Sequence, residues 1–254
     1  MFGLKHIVIL AVCSVYIVFF SVFLKRKRFS LKTVLHCLLG VGVLSETLKI
    51  FTYIILNEAE YGGYLPKTDL PFHLCSVQII FMLILVLTEN ERIKRLLISF
   101  MLPTCLIGGV AALLIPTSSS LNNNVIMVQY FLYHSSIVTY AIFLYTTDEI
   151  HFTPRDYRAC LLMLYAFFFV AIYLNGWIND YSHPINFMYV VNPPVDGLPY
   201  LTKKYGWLIY IVHYAFLSFF AVTMCYIKPI IDAFKGKRRD RFHDFPDGFC
   251  PHAE

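Results

Sequence analysis

The chain alternates between long apolar runs and short polar segments. A helix needs about 20 apolar residues to cross the hydrocarbon core of a bilayer, and most of the apolar runs are close to that length. The pattern predicts an all-α fold: a polytopic bundle of seven transmembrane helices in one integral membrane domain, followed by a basic tail at 228–254. The third run is the shortest, and we expect its helix to begin at Pro71, because proline suits the first turn of a helix. The predicted spans cover about 7–24, 34–56, 72–88, 96–115, 125–146, 159–178 and 207–227.

The basic residues predict how these helices are oriented. If the N-terminus lies outside, sixteen of the 21 Lys and Arg residues fall in inner loops and the tail, four fall outside, and Lys49 lies within a span. Cytoplasmic loops of membrane proteins carry an excess of Lys and Arg, so we expect the N-terminus outside and the C-terminus in the cytoplasm. The basic inner face is expected to contact anionic lipid head groups. Its tail segment Lys235–Arg241 is interpreted as a membrane anchor, and no nucleic-acid partner is expected.

Composition supports the membrane class and excludes others. The chain is 58% hydrophobic and 15% charged, whereas soluble domains carry about 25% charged residues. The mean hydropathy of +0.63 excludes a soluble globular domain and an intrinsically disordered chain. The cysteines are scattered through apolar runs without zinc-type spacing, and no phosphate-binding glycine pattern occurs. No metal and no cofactor are therefore expected.

Ionisable and thiol side chains within the spans are few, and they are the candidate functional residues. Such groups are costly in a bilayer and usually face a cavity or a partner. The predicted topology places all of them in the outer half of the membrane, so the sequence predicts one polar pocket there. The candidates are Glu46 and Lys49 in the second span, His73 and Cys75 at the start of the third, His134 in the fifth and His213 in the seventh.

Each candidate also has a purely structural interpretation. Glu46 and Lys49 are three residues apart and can neutralise each other on one helix face. A lone histidine in a membrane helix is often an interhelical hydrogen-bonding residue, and for His213 this is the favoured role.

Cys75 is the candidate nucleophile because it lies near a helix N-terminus, where the helix dipole favours a thiolate. A nucleophilic cysteine needs a base. His73 is poorly placed if the helix starts at Pro71, since residues two apart point in nearly opposite directions; His134 or His213 would then serve. Gln78 shares the face of Cys75 and is a candidate oxyanion donor. From the residues alone, a packing cysteine beside a structural histidine is favoured over a catalytic thiol.

The segment 70–78 strengthens the case for a catalytic thiol at Cys75. Its sequence, Leu-Pro-Phe-His-Leu-Cys-Ser-Val-Gln, resembles the core motif of the YwaF-like integral membrane protein family, which includes animal transmembrane protein 164. The glutamate in the second span, the histidine in the fifth, the Asn186–Tyr189 stretch with Pro193 and the Gly-Trp at 206–207 agree with that family. The resemblance covers roughly spans two to seven.

The resemblance implies a membrane-embedded Cys–His acyltransferase or lipid ester hydrolase that acts on phospholipid acyl chains through an acyl-thioester. By position, Cys75 would be the nucleophile and His134 the general base. A bacterial cell membrane is the expected location. Supporting roles would fall to His73, Glu46, Lys49, Gln78, His213 and Asn186.

Two alternatives of other classes stay open. Intramembrane Glu, Lys and His also mark transporters and channels with a polar site. A non-catalytic membrane scaffold or sensor is the third possibility, and it predicts that Cys75, His134 and Glu46 do not converge in space. The loop at 179–205 is either a functional lid or a simple surface cap.

Overall fold

The computed structural model describes residues 3–56, 62–116, 121, 123–179, 185–195 and 201–234. Within these residues the chain forms helices and no strand, which confirms the all-α prediction. A π-helical turn, Thr52–Leu56, extends the second helix, and short 3₁₀ turns cover Lys67–Asp69 and Phe187–Tyr189. The α-helices are α1 (Leu4–Lys27), α2 (Leu31–Phe51), α3 (Leu74–Leu87), α4 (Glu91–Leu114), α5 (Asn124–Thr146), α6 (Pro154–Ile178), α7 (Trp207–Cys225) and α8 (Ile227–Phe234).

Six of these helices, α1, α2 and α4–α7, are long and apolar enough to cross a membrane. The third, α3, has 14 residues, which gives a length of roughly 21 Å against a hydrocarbon core of about 30 Å. Large side chains such as Val15 and Phe216 are 70% and 68% exposed on the outside of the bundle, as expected for surfaces that face lipid. The seventh span and the orientation of the bundle stay predictions.

Helix caps explain where the observed helices depart from the apolar runs. The Asn90 carboxamide oxygen accepts hydrogen bonds from the first-turn N–H groups of α4. A capping box between Thr153 and Asp156, with Pro154 in the first turn, starts α6. Both helices begin five residues before the predicted spans, because capping side chains and not hydrophobicity set a helix start.

The prediction that α3 begins at Pro71 was wrong. Leu70 is extended, with φ −58° and ψ 149°, because the residue before a proline is pushed out of the helical region. The chain turns at Phe72, whose N–H donates to the Leu70 carbonyl at 2.7 Å, and α3 starts only after His73. His73 is therefore not a helical residue, and the angular reason for separating it from Cys75 does not apply.

Helix α4 lies at the centre of the bundle and packs most extensively against α5. Gly109 allows this close approach: a Cβ at this position would lie 2.6 Å from Val138 Cγ2 and 3.2 Å from the His134 carbonyl oxygen. Helices α3, α6 and α7 contact other faces of α4, and α2 packs against α3 and α5. The position of His134 is thus tied to the backbone of α4.

A proline inside α4 connects that helix to the end of α7. Pro103 has no N–H, so the carbonyl of Ser99, four residues earlier, loses its helical donor. The buried Tyr226 hydroxyl donates to this carbonyl at 2.7 Å and replaces the missing bond. The contact fixes the end of α7 beside the middle of α4.

The remaining parts lie at the periphery. Helix α1 packs against α5, and only 6% of the residues in its apolar stretch are buried. The start of the predicted basic tail forms α8. The segment Lys235–Arg241, interpreted from the sequence as a membrane anchor, lies outside the described residues.

Candidate functional site

A cavity of about 560 Å³ opens between the helices and is lined by every helix except α1 and α8. Its volume lies within the range of about 300–1,000 Å³ that is usual for small-molecule sites. Most of its wall is apolar, and its charged, imidazole and thiol side chains come from α2, α5, α3 and the segment before α3, which we call its polar edge. Five of the residues singled out from the sequence line it: Glu46, Lys49, His73, Cys75 and His134.

Cys75 lies in the first turn of α3 and lines the cavity. Its backbone carbonyl accepts a hydrogen bond from the Tyr133 hydroxyl at 2.7 Å. Its sulfur packs beside Gly108, where a Cβ would lie 3.5 Å from Sγ. No side chain among the described residues caps the N-terminus of α3, so the first-turn N–H groups of this helix, which include that of Cys75 itself, have no side-chain acceptor.

His134 lines the same cavity and is held in one orientation. Its Nδ1 lies 2.7 Å from the Tyr130 carbonyl oxygen, and its ring packs 4.2 Å from the Tyr130 ring. A carbonyl only accepts hydrogen bonds, so Nδ1 carries the proton. In the neutral imidazole, Nε2 is then the basic nitrogen. His134 is 7% exposed, so this base is shielded from bulk water.

Two consecutive glycines of α4 relate the thiol to the imidazole. A Cβ at Gly108 would lie 3.5 Å from the Cys75 sulfur, and a Cβ at Gly109 would lie 3.2 Å from the His134 carbonyl oxygen. The Tyr133 hydroxyl, one residue before His134, bonds the Cys75 backbone. Helices α3, α4 and α5 therefore hold Cys75 and His134 on the wall of one cavity.

Glu46 and Lys49 form the ion pair that their spacing allows. Lys49 Nζ lies 2.8 Å from Glu46 Oε2, and the two side chains are 11% and 25% exposed. Lys49 Nζ also donates to the Asp69 carbonyl at 3.2 Å. The two opposite charges neutralise each other at the polar edge of the cavity. The bond from Lys49 to Asp69 also anchors the segment that leads from Asp69 to His73.

His73 packs against a short loop that covers this end of the cavity. Its ring lies 5.5 Å from the Phe187 ring and 5.8 Å from the Tyr189 ring. Met188 and Tyr189 of that loop line the cavity. Burial raises the pKa of the Tyr189 hydroxyl, so this residue presents a neutral hydroxyl near pH 7.

Asn186 does not line the cavity but holds the loop. Its carboxamide oxygen accepts from the N–H groups of Val191 and Asn192, and its amide donates to the Asn192 carbonyl at 2.8 Å. Asn175 of α6 bonds both the N–H and the carbonyl of Phe187, at 2.7 and 3.0 Å. These bonds make the described part of the loop, residues 185–195, a fixed cover.

Two predicted site residues lie elsewhere. Gln78 is fully buried and does not line the cavity. Its amide donates to the Leu74 carbonyl and to Thr104 Oγ1, which leaves neither N–H for an oxyanion. His213 is exposed on the outside of α7, while its neighbour Tyr214 lines the cavity.

Several residues that shape the site were missed from the sequence. Tyr130 and Tyr133 hold His134 and Cys75, and both belong to an apolar run that gives no sign of this role. Gly108 was not singled out. Asn175 carried a visible signal, since it is a polar residue within an apolar run.

The fold and the cavity define a polytopic integral membrane protein with a thiol and an imidazole facing one intramembrane cavity. The chain belongs to the TMEM164 family, whose model matches residues 1–226. Comparisons with curated proteins and with solved structures found no match. Within the described residues, no group of three or more His, Cys, Asp and Glu side chains is arranged to hold a metal ion. The bacterial cell membrane stays a prediction.

Proposed function

We propose that this protein is a membrane-embedded Cys–His enzyme that transfers or hydrolyses phospholipid acyl chains through an acyl-thioester on Cys75. The observation that carries the proposal is that Cys75 and His134 line one shielded cavity. The hydrogen bond from His134 Nδ1 to the Tyr130 carbonyl leaves Nε2 as the base. A nucleophile beside an oriented base is the general arrangement of covalent acyl-transfer sites.

In the first half-reaction, His134 Nε2 takes the proton from the Cys75 thiol. The sulfur attacks the ester carbonyl carbon, an S–C bond forms, and the carbonyl electron pair moves onto oxygen. The tetrahedral intermediate collapses, the ester C–O bond breaks, and the leaving alkoxide takes the proton from His134. The products are an acyl-thioester on Cys75 and a lysophospholipid.

In the second half-reaction, an alcohol or water attacks the thioester. His134 takes the proton of the attacking hydroxyl, and the C–S bond breaks. The thiolate then takes that proton back from His134, which restores the starting state. An alcohol acceptor gives acyl transfer, and water gives a free fatty acid. The fixed loop at 185–195 covers the site and favours transfer, because it limits the access of water.

The developing oxyanion needs hydrogen-bond donors, and the first turn of α3 supplies them. The backbone N–H groups of Cys75 and Ser76 have no helical acceptor, and no side chain among the described residues caps this end. Backbone donors at a helix N-terminus stabilise negative charge. This role was assigned to Gln78 from the sequence, and its occupied amide makes the backbone the better candidate.

An acyl lipid fits the division of the cavity into polar and apolar parts. Its polar edge carries Glu46, Lys49 and His73, close to where a phospholipid ester and head group would lie. Its apolar wall can hold an acyl chain; the side chains that form it include Leu164, Phe168, Leu217, Ala221 and Val222.

The proposal includes the topology expected from the sequence. One membrane domain of seven spans, with α3 and the segment before it completing the third, would leave the N-terminus outside and the C-terminus in the cytoplasm. The asymmetry of Lys and Arg supports this orientation, and the basic inner face and tail would contact anionic lipid. Labelling of single cysteines placed in the α1–α2 and α4–α5 loops with an impermeant reagent tests it: reaction of intact cells at the first loop would contradict it.

Turnover by purified protein in liposomes tests the proposed chemistry. The liposomes carry a phospholipid with an isotope-labelled acyl chain and an unlabelled lysophospholipid, and products are separated by mass spectrometry. We expect Cys75→Ala and His134→Gln to abolish both transfer and release of the label. Cys37→Ala removes a thiol that is exposed outside the cavity and is expected to keep wild-type rates. Full activity of Cys75→Ala would refute the proposal.

A transporter is the second candidate, because the Glu46–Lys49 pair lines the cavity. It predicts that Glu46→Gln abolishes a liposome flux while Cys75→Ala does not. The enzyme proposal predicts the opposite ranking of these variants in the turnover assay.

A further inference from the structure

We infer that Gly108 is the specificity-determining residue of the site and sets the length of the acyl chain that reaches Cys75. The inference rests on the proposed function, which assigns the cavity to an acyl lipid. It follows from two observations: a Cβ at Gly108 of α4 would be in van der Waals contact with the thiol, and Gly108 lies on the cavity wall.

One face of α4 forms a continuous side of the cavity on either side of Gly108. The residues of this face are Pro103, Thr104, Ile107, Gly108, Ala111, Ala112 and Ile115. With a rise of 1.5 Å per residue, Gly108 and Ile115 are separated by roughly 10 Å along the helix. The cavity therefore extends well past the thiol along α4, and a chain attached at Cys75 can follow this wall.

Residue 108 lies where the part of the cavity that follows α4 reaches the Cys75 sulfur, so its side chain determines how much space is left there. A Cβ at Gly108 would lie 3.5 Å from Cys75 Sγ and 3.8 Å from Leu74 Cδ2, which are ordinary van der Waals contacts. Alanine therefore fits without displacing the thiol. Leucine has three more carbon atoms, and with Sγ and Leu74 already in contact, these atoms extend into the cavity beside the sulfur.

The neighbouring glycine has a different role. At Gly109 a Cβ would lie 2.6 Å from Val138 Cγ2 and would press on α5, so glycine is needed there for helix packing. Gly108 lines the cavity where α4 meets α3, and a Cβ there would make only ordinary contacts with Cys75 and Leu74, so the fold does not require glycine at this position. A side chain at residue 108 is expected to alter what the cavity holds while the bundle stays intact.

Stoichiometric labelling of Cys75 tests this inference without requiring turnover. Two maleimides, with an N-ethyl and an N-dodecyl group, react with the protein in detergent, and peptide mass spectrometry reads adduct formation at Cys75 alone. In this reaction the sulfur adds to one alkene carbon and the thiol proton ends on the other, so nothing leaves. The protein variants are wild type, Gly108→Ala, Gly108→Leu and the control Gly40→Leu, whose position has no neighbouring atom within 4 Å.

We expect both reagents to label Cys75 in wild type, in Gly108→Ala and in Gly40→Leu. In Gly108→Leu the dodecyl reagent should slow by at least about tenfold, while the ethyl reagent stays within about threefold of wild type. Equal rates for the two reagents in Gly108→Leu, or no labelling of wild type by the dodecyl reagent, would overturn the inference. The inference also fails if Ala221→Leu on α7, and not Gly108→Leu, slows the long reagent selectively.

The outcome is separable from that of the proposed function. If labelling follows the expected pattern but liposomes show no acyl turnover, the cavity selects chains and the enzyme proposal fails. If turnover depends on Cys75 but Gly108→Leu leaves both the labelling ratio and the chain-length profile of the products unchanged, the enzyme proposal stands and Gly108 has no selective role. If the leucine variant fails to fold, Gly108→Val takes its place in the same assay. Selective slowing of the dodecyl reagent in Gly108→Val supports the inference, and equal rates for the two reagents contradict it.

Discussion

Replacing Tyr226 by phenylalanine tests how the bundle accommodates the proline inside α4. The substitution removes only a hydroxyl from a side chain that is fully buried. That hydroxyl donates to the Ser99 carbonyl at 2.7 Å, and the residue four positions later, Pro103, has no N–H to take its place.

The expected cost follows from the unsatisfied carbonyl. A buried polar group that loses its hydrogen-bond partner costs about 1–3 kcal/mol. In a Pro103→Ala background, the new N–H of residue 103 can donate to Ser99, so Tyr226→Phe should then cost less than about 1 kcal/mol. The two substitutions are therefore expected to be coupled by roughly 1–2 kcal/mol, within the range measured for residues that share one network.

Equilibrium unfolding in mixed micelles measures this coupling. The free energy of unfolding is taken from far-UV circular dichroism as the fraction of denaturing detergent rises, for wild type, both single variants and the double variant. Tyr157→Phe is the matched control, because its hydroxyl bonds the side chain of the partly buried Thr223 and should cost less. A loss for Tyr226→Phe that is equal in both backgrounds would refute the assignment of Tyr226 as the donor that compensates for Pro103.

Two further predictions concern the elements that position the site. Gly109→Ala should destabilise the protein by about 1–3 kcal/mol, because its Cβ would press on Val138 and overpacking a core costs that much. The control Gly40→Ala, at a position in open space, should be neutral or stabilising in the same unfolding assay. Equal effects of the two substitutions would contradict the packing account. Asn175→Leu removes both hydrogen bonds to Phe187, so a water-soluble thiol reagent should label Cys75 several-fold faster, and an unchanged rate would show that the loop does not shield the site.

The sequence predicted the membrane helices well because hydrophobicity is the property that the bilayer selects. Helix α5 was expected at 125–146 and forms at Asn124–Thr146. The starts of α4 and α6 were placed late, because their first turns are polar and depend on the caps at Asn90 and Thr153. The start of α3 was placed early, because Pro71 restrains the residue before it more strongly than it favours a helix.

The sequence correctly grouped Cys75, His134 and Glu46 on one cavity, but the helix face of each candidate was not predictable. Cys75, His134 and Glu46 were expected at one level, and all three line the same cavity. His213 has a suitable depth but faces outward, whereas Tyr214, one residue and about 100° further around α7, faces the cavity. The rotation of a helix about its axis depends on packing between helices. When a helix has no distinct polar face, its sequence does not indicate which side will face the cavity.

Other parts of the site depend on backbone groups. Asn175 was visible as a polar residue in an apolar run, but its partner is the main chain of Phe187, and no residue type signals such a partner. The role of Gly108 follows from the contact that a Cβ there would make with the Cys75 sulfur. That contact comes from the packing of α3 on α4 and leaves no periodic signal along the chain.

The most direct test of the account is detection of an acyl group on Cys75. Purified protein is incubated briefly with a phospholipid that carries a labelled acyl chain, quenched with acid, digested and analysed by tandem mass spectrometry, with and without hydroxylamine. The account predicts a hydroxylamine-sensitive acyl adduct on Cys75 in wild type, a strongly reduced amount in His134→Gln, and wild-type amounts in Cys37→Ala. Acyl turnover without any adduct on Cys75, or an adduct of equal abundance on Cys37, would contradict it.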